Sequence, residues 1–94
     1  MILLNTSFHV LASRQQEFID WATSALSNFD RKPTFCRILT VVDPDVSSFA
    51  MQWRFDTLEY AEQWEETAEL TRLQQLRATM GDDAMYFTTY MEEL

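Results

Sequence analysis

From Ile2 to Val10 the chain alternates, with Ile2, Leu4, Phe8 and Val10 on one side and Leu3, Asn5, Ser7 and His9 on the other. A period of two predicts a strand with one strongly apolar face. Ser13-Arg14-Gln15-Gln16 then has capping-box spacing, a Ser followed three residues later by a Gln, which predicts a helix start. Phe18, Trp21, Ala22, Ala25, Leu26 and Phe29 recur at spacings of three and four, one buried stripe of a helix predicted to end near Asn28. Asp30-Arg31-Lys32-Pro33 breaks it, because proline cannot continue the amide ladder.

Thr34 to Val42 is rich in β-branched and aromatic residues and predicts a second strand. Asp43-Pro44-Asp45 reads as a turn, and from Ser48 the chain alternates again. Phe49, Met51, Trp53 and Phe55 share one side there, and Ala50, Gln52 and Arg54 the other, so the two strands form an antiparallel hairpin. Asp56 is the expected cap of a second helix, with Glu59 three residues on. That helix runs from Thr57 to about Met80, and its stripe changes phase. Leu58, Ala61, Trp64 and Ala68 line one face, while Leu70, Leu73, Leu76 (or Arg77) and Met80 line another, so a bend or break is expected between Thr67 and Thr71. Gly81, the only glycine, stands where the helix must end in a positive-φ residue. Ala84 to Met91 is the last strand, Met85, Phe87 and Met91 alternating with Tyr86, Thr88 and Tyr90.

Strand, helix, strand, strand, helix, strand is the order of an α+β, ferredoxin-like βαββαβ unit, with residues 1–94 as one domain. Each helix has a single apolar stripe, so both must cover the same face of the antiparallel sheet. The other face keeps aromatic and aliphatic residues that would be exposed on a monomer. A homodimer packed through that open face, a dimeric α/β barrel, is the simplest remedy.

Composition narrows the function. With 15 acidic against 7 basic residues, a net charge of −8 argues against nucleic acid or an anionic membrane as a partner, since both need basic patches. One cysteine, Cys36, cannot form an internal disulfide, and Arg37 should point away from it, so an inert buried thiol is expected. No signal peptide or spanning segment is read, so a cytoplasmic protein is expected. A single glycine cannot build a phosphate-binding loop, and no Ser-His-acid set is read around the one histidine. No metal site or cofactor is implied by residue spacing.

The segment Trp53-Arg54-Phe55-Asp56-Thr57-Leu58-Glu59-Tyr60-Ala61-Glu62-Gln63-Trp64, the Gly81-Asp82 junction and the closing Phe87-Thr88-Thr89-Tyr90-Met91-Glu92-Glu93-Leu94 resemble the domain of unknown function 4286 family. Met1-Ile2 with Asn5 in a first strand also fits. The resemblance implies a small bacterial protein with a dimeric α+β barrel fold, and it brings no established reaction. A more distant similarity is to haem-degrading monooxygenases of the dimeric barrel kind, which use an Asn on the first strand, and a Trp and a His on the second helix. Asn5 and Trp64 match by position, but about three turns further on the chain has Gln74 and Gln75, which cannot ligate iron in place of His. Trp64 is therefore read as core.

His9 lies on the less apolar side of the first strand, and is grouped with Asn5, Ser7, Gln52, Arg54 and Tyr90 as a candidate ligand pocket. Asp56, Glu59, Glu62, Glu65, Glu66 and Glu69 precede any basic residue of the second helix. Glu59, Glu62, Glu66 and Glu69 form one edge, read as solvated or as a docking face for a basic partner. Two functions follow. One is a non-enzymatic module binding a small ligand or a partner. The alternative is a cofactor-free monooxygenase or isomerase in which Asn5, His9 or Arg54 polarises a small aromatic substrate.

Overall fold

A computed structural model describes residues 1–27, 35–40 and 47–94, without the side chains of residues 25–27, 35, 36 and 39. The helix end near Asn28, the Asp30–Pro33 break, the Asp43-Pro44-Asp45 turn and the burial of Ala25, Leu26, Phe29 and Cys36 lie outside the described residues. Strands β1 (Ile2–Val10), β2 (Phe35–Thr40), β3 (Ser48–Phe55) and β4 (Ala84–Glu92) form one antiparallel sheet in the order β2-β3-β1-β4. Helix α1 (Gln15–Ser27) follows β1. The second helix comprises α2 (Leu58–Trp64), a π-helical turn at Glu65–Glu69 and α3 (Leu70–Met80). This is the ferredoxin-like arrangement that the alternation predicts.

The helix-covered side of the sheet is built by the even positions of β1 and the odd positions of β3, where Leu4, Phe8, Phe49, Met51, Trp53 and Phe55 are buried. From α1, Phe18 packs its ring 4.9 Å from that of Phe8 and 4.7 Å from that of Phe49. From α2, Trp64 sits 5.3 Å from Trp53. Each of these rings removes a large apolar area from water, which is what holds the two layers together.

Both helix starts differ from the expected caps. Leu11 precedes a 3₁₀ turn at Ala12–Arg14 that runs straight into α1, and no side chain caps it. Arg14 secures this entry instead, donating to the carbonyls of Met80 (3.2 Å) and Thr79 (3.1 Å) and pairing with Glu17 (2.6 Å) and Asp83 (2.9 Å). At α2 the cap is Thr57 and not Asp56: the helix opens at Leu58, and the Thr57 hydroxyl accepts from the Tyr60 amide at 3.2 Å.

The phase change in the second helix has a structural cause. A π turn holds one more residue than an α turn, so everything beyond it is rotated relative to the preceding stripe. Thr67 and Thr71 donate back to the carbonyls of Gln63 and Thr67, a pattern that bends helices. After the turn, Arg72, Leu73, Leu76 and Met80 are buried. Glu69 lies at the angular centre of that stripe, and Leu70, about 100° further round, is exposed. Three sequence expectations are corrected here: Leu58 and Leu70 are exposed and do not face the core, and Glu69 does not belong to the solvated acidic edge. Glu59, Glu62 and Glu66 are exposed as expected. Gly81 ends α3 with φ 56° and donates its amide to the Arg77 carbonyl. Its place thus reflects backbone conformation, because nothing lies within 4 Å of where a Cβ would stand.

Candidate functional site

Strand pairing places the residues of the uncovered sheet face in rows. Arg54, Leu3 and Met91 make one row; Arg37, Gln52, Asn5 and Thr89 the next; Ala50, Ser7 and Phe87 the third; and Ser48, His9 and Met85 the last. The second row is hydrogen-bonded across three strands. Arg37 Nε donates to Gln52 Oε1 (2.7 Å), and Gln52 Nε2 donates to Asn5 Oδ1 (3.0 Å). Asn5 Nδ2 then donates to Ser7 Oγ (3.2 Å). All donors run in one direction, from the cation towards the hydroxyl, so each bond polarises the next.

Arg54 is held separately. Its guanidinium forms a two-pronged pair with Glu93, just beyond β4. That hydrogen-bonded pairing raises the Arg54 guanidinium above its ordinary value, and it holds the Glu93 carboxyl below the usual carboxylate range. His9 stands at the other end of the face. A hydrogen bond of 3.0 Å joins its Nδ1 to the Ser48 hydroxyl, and its ring stacks on Phe87, centroids 6.4 Å apart and planes 23° from parallel. Beside this stack is a depression of ≈ 390 Å³ bordered by Ser7, His9, Ser48, Ala50 and Phe87. Met85 (64% exposed), Phe87 (58%) and Met91 (39%) form an apolar strip along the β4 side.

Five of the six candidate pocket residues, Asn5, Ser7, His9, Gln52 and Arg54, thus share one face, although only Ser7 and His9 among them border the depression. Tyr90 does not join them. Asn5 pairs with Thr89, so the odd residues of β4 share the open face and Tyr90 points to the helices. Its hydroxyl donates to Glu65. Partial burial, this hydrogen bond and the charges of Glu65, Glu62 and Glu66 push its phenol above the ordinary tyrosine value. Because the folded-state pKa is the higher one, the associated stability is complete below about pH 10 and is lost as pH rises through the folded value. An ultraviolet titration of tyrosinate should show one group ionising late, and Glu65→Gln should bring it down; an unmoved titration curve would contradict the contact.

Asn5 and Trp64 are not assembled into a haem-facing set. The sheet lies between them: Asn5 is on the open face, Trp64 is buried against Trp53 and Phe55, and Gln74 and Gln75 are exposed. Sequence reasoning missed Ser48, Glu93 and the role of Phe87. Phe87 was legible as an apolar position of β4, but its place beside His9 depends on the register of two strands far apart in sequence. Among the described residues, no three His, Cys, Asp or Glu side chains are grouped to hold a metal ion, and no helix is long and apolar enough to cross a membrane.

A family model described as a domain of unknown function (DUF4286) matches residues 1–94. The chain belongs to that family. Among curated proteins, nothing matches it. Solved structures similar to this DUF4286 chain include a provisionally assigned antibiotic biosynthesis monooxygenase from Deinococcus radiodurans, with TM-score 0.76, 9% identity, and coverage of 100% of this chain and 93% of the other. An uncharacterised NIPSNAP domain protein from Burkholderia xenovorans has TM-score 0.66 and 15% identity, covering 100% and 95%. A dimeric ferredoxin-like protein from an uncultured marine organism has TM-score 0.55 and 15% identity, covering 99% and 96%. At such identities the likeness of the DUF4286 chain to these proteins is one of fold.

Proposed function

We propose that this DUF4286 chain is a non-enzymatic, cytoplasmic homodimer that binds a small, largely apolar ligand between the open faces of two sheets. The observation that carries the reading is the pairing of the exposed Met85–Phe87–Met91 strip with the neighbouring depression at His9 and Ser48. An apolar strip of this kind on a small domain is normally covered. A second sheet laid over it would close the depression into a cavity within the size range of small-molecule sites, with the His9 imidazole and the Ser7 and Ser48 hydroxyls to orient the occupant. The dimeric ferredoxin-like protein of the same fold supports the assembly.

The committed state of the other polar groups favours binding over chemistry. A substrate-polarising role for Asn5 would compete with its bonds to Gln52 and Ser7, and one for Arg54 with its pair to Glu93. Titration with 2-naphthol, a planar aromatic with a single hydroxyl, tests the site by amide chemical shifts. Shifts should concentrate at Ser7, His9, Ser48, Ala50 and Phe87, and His9→Ala should weaken binding by roughly tenfold, the worth of about one hydrogen bond. Shifts confined to the helix side, or none at millimolar 2-naphthol, would remove the reading.

A further inference from the structure

We propose that the outer edge of β4 accepts an extended peptide of alternating apolar and basic residues as a fifth strand. Strand β4 ends the sheet, and among the described residues no strand lies beyond it. Two backbone bonds establish which of its groups face outward. Glu93 donates its amide to the Met1 carbonyl (3.0 Å), and the Asp83 carbonyl accepts from Leu11 (2.8 Å). Residues of this parity therefore face β1. In an antiparallel ladder the direction alternates, so Ala84, Tyr86, Thr88, Tyr90 and Glu92 turn their N–H and C=O groups to the free edge.

Natural edge strands are commonly blunted by lysine, proline, a bulge or shortness. Ala84–Glu92 is nine residues of continuous strand without lysine or proline, and its pairing with β1 steps evenly from end to end. Its two sides differ in chemistry. Towards the open face it presents Met85, Phe87 and Met91, with Thr89 between the last two. Towards the helices it presents Tyr86, Thr88, Tyr90 and Glu92, with Glu65 on the Tyr90 hydroxyl, and Glu62 and Glu66 close enough for their charges to act on it.

An added strand alternates in step with its neighbour. Its apolar residues would extend the Met85–Phe87–Met91 strip, and its Lys or Arg residues would face the acids. The charge of this edge decides between occupants. A second β4 would bring no positive charge to Glu62, Glu65, Glu66 and Glu92, since Ala84–Glu92 contains no lysine or arginine. A basic strand has the complementary charge.

The probe is a synthetic nine-residue peptide of alternating lysine and valine, added to the full chain at low salt and followed by amide hydrogen exchange. Exchange should slow by about tenfold or more at Tyr86, Thr88 and Tyr90 and stay unchanged at Met85, Phe87 and Thr89, whose amides already face β1. Glu62→Gln, Glu65→Gln and Glu66→Gln together should weaken binding about tenfold, the combined worth of several exposed ion pairs. A peptide with glutamate in place of lysine should not bind. Slowing without the alternation, or equal binding of the glutamate peptide, would overturn the proposal. So would protection of the edge amides that rises with protein concentration before any peptide is added, since a second copy would then occupy the edge.

Discussion

Arg72→Met should destabilise the fold by about 3–5 kcal/mol, the usual cost of leaving one member of a buried ion pair without the other. Glu69 and Arg72 are 0% and 4% exposed, and the guanidinium meets both carboxylate oxygens, Nη2 to Oε1 at 3.0 Å and Nε to Oε2 at 3.2 Å. Arg72 also lies over the Trp21 ring at 4.6 Å and the Trp53 ring at 5.4 Å, and Nη2 reaches the Met51 sulfur at 3.5 Å. Methionine replaces part of that packing but none of the charge, so the Glu69 carboxylate remains in the core without its cation. Small domains have about 5–15 kcal/mol of stability in total. The loss should lower Tm by at least about 12 °C, at roughly 4–8 °C per kcal/mol for a domain of this size. Adding Glu69→Leu to Arg72→Met should restore most of it, because a well-packed apolar pair can equal a buried ion pair. A single substitution that leaves Tm unchanged would show that the pair is not buried as described.

Phe87→Asp should raise the dissociation constant of the proposed homodimer by roughly a hundredfold or more while leaving the monomer folded. The side chain is 58% exposed in one chain, so the monomer does not need it for its core. In the twofold assembly each substitution is counted twice, since both protomers bring the same residue to the interface. About 1.4 kcal/mol per copy, modest for setting a carboxylate in an apolar contact, already gives the hundredfold. Gln75→Asp on the exposed side of α3 adds the same charge away from the open face and should have a much smaller effect. Equal effects of the two would mean that net charge, not Phe87, governs association.

The fold was legible because periods of two and of three to four dominate this chain. Leu4, Phe8, Phe49, Met51, Trp53 and Phe55 alternate into the core, and Gly81 takes the positive φ expected of it. Even the helix irregularity was visible in the slip between the Trp64 and Leu73 stripes. What the slip could not disclose was its structural result. An extra residue in a π turn puts Glu69, and not Leu70, at the centre of the buried stripe, and only a partner one turn on allows a carboxylate there. The candidate site was legible by face but not by connection. Asn5, His9, Gln52 and Arg54 fall on one side by parity alone. Tyr90 was misplaced because parity within β4 gives no side until the pairing of Asn5 with Thr89 is known. Bonds such as Arg37–Gln52–Asn5 and His9–Ser48 depend on that same cross-strand register.

In the proposed homodimer a second copy docks on the open face of the sheet. Sedimentation equilibrium of the unaltered chain at micromolar concentration tests it most directly. The expected result is a single species of twice 11.1 kDa, reduced to 11.1 kDa by Phe87→Asp. A monomer of 11.1 kDa for the unaltered chain at that concentration would contradict it.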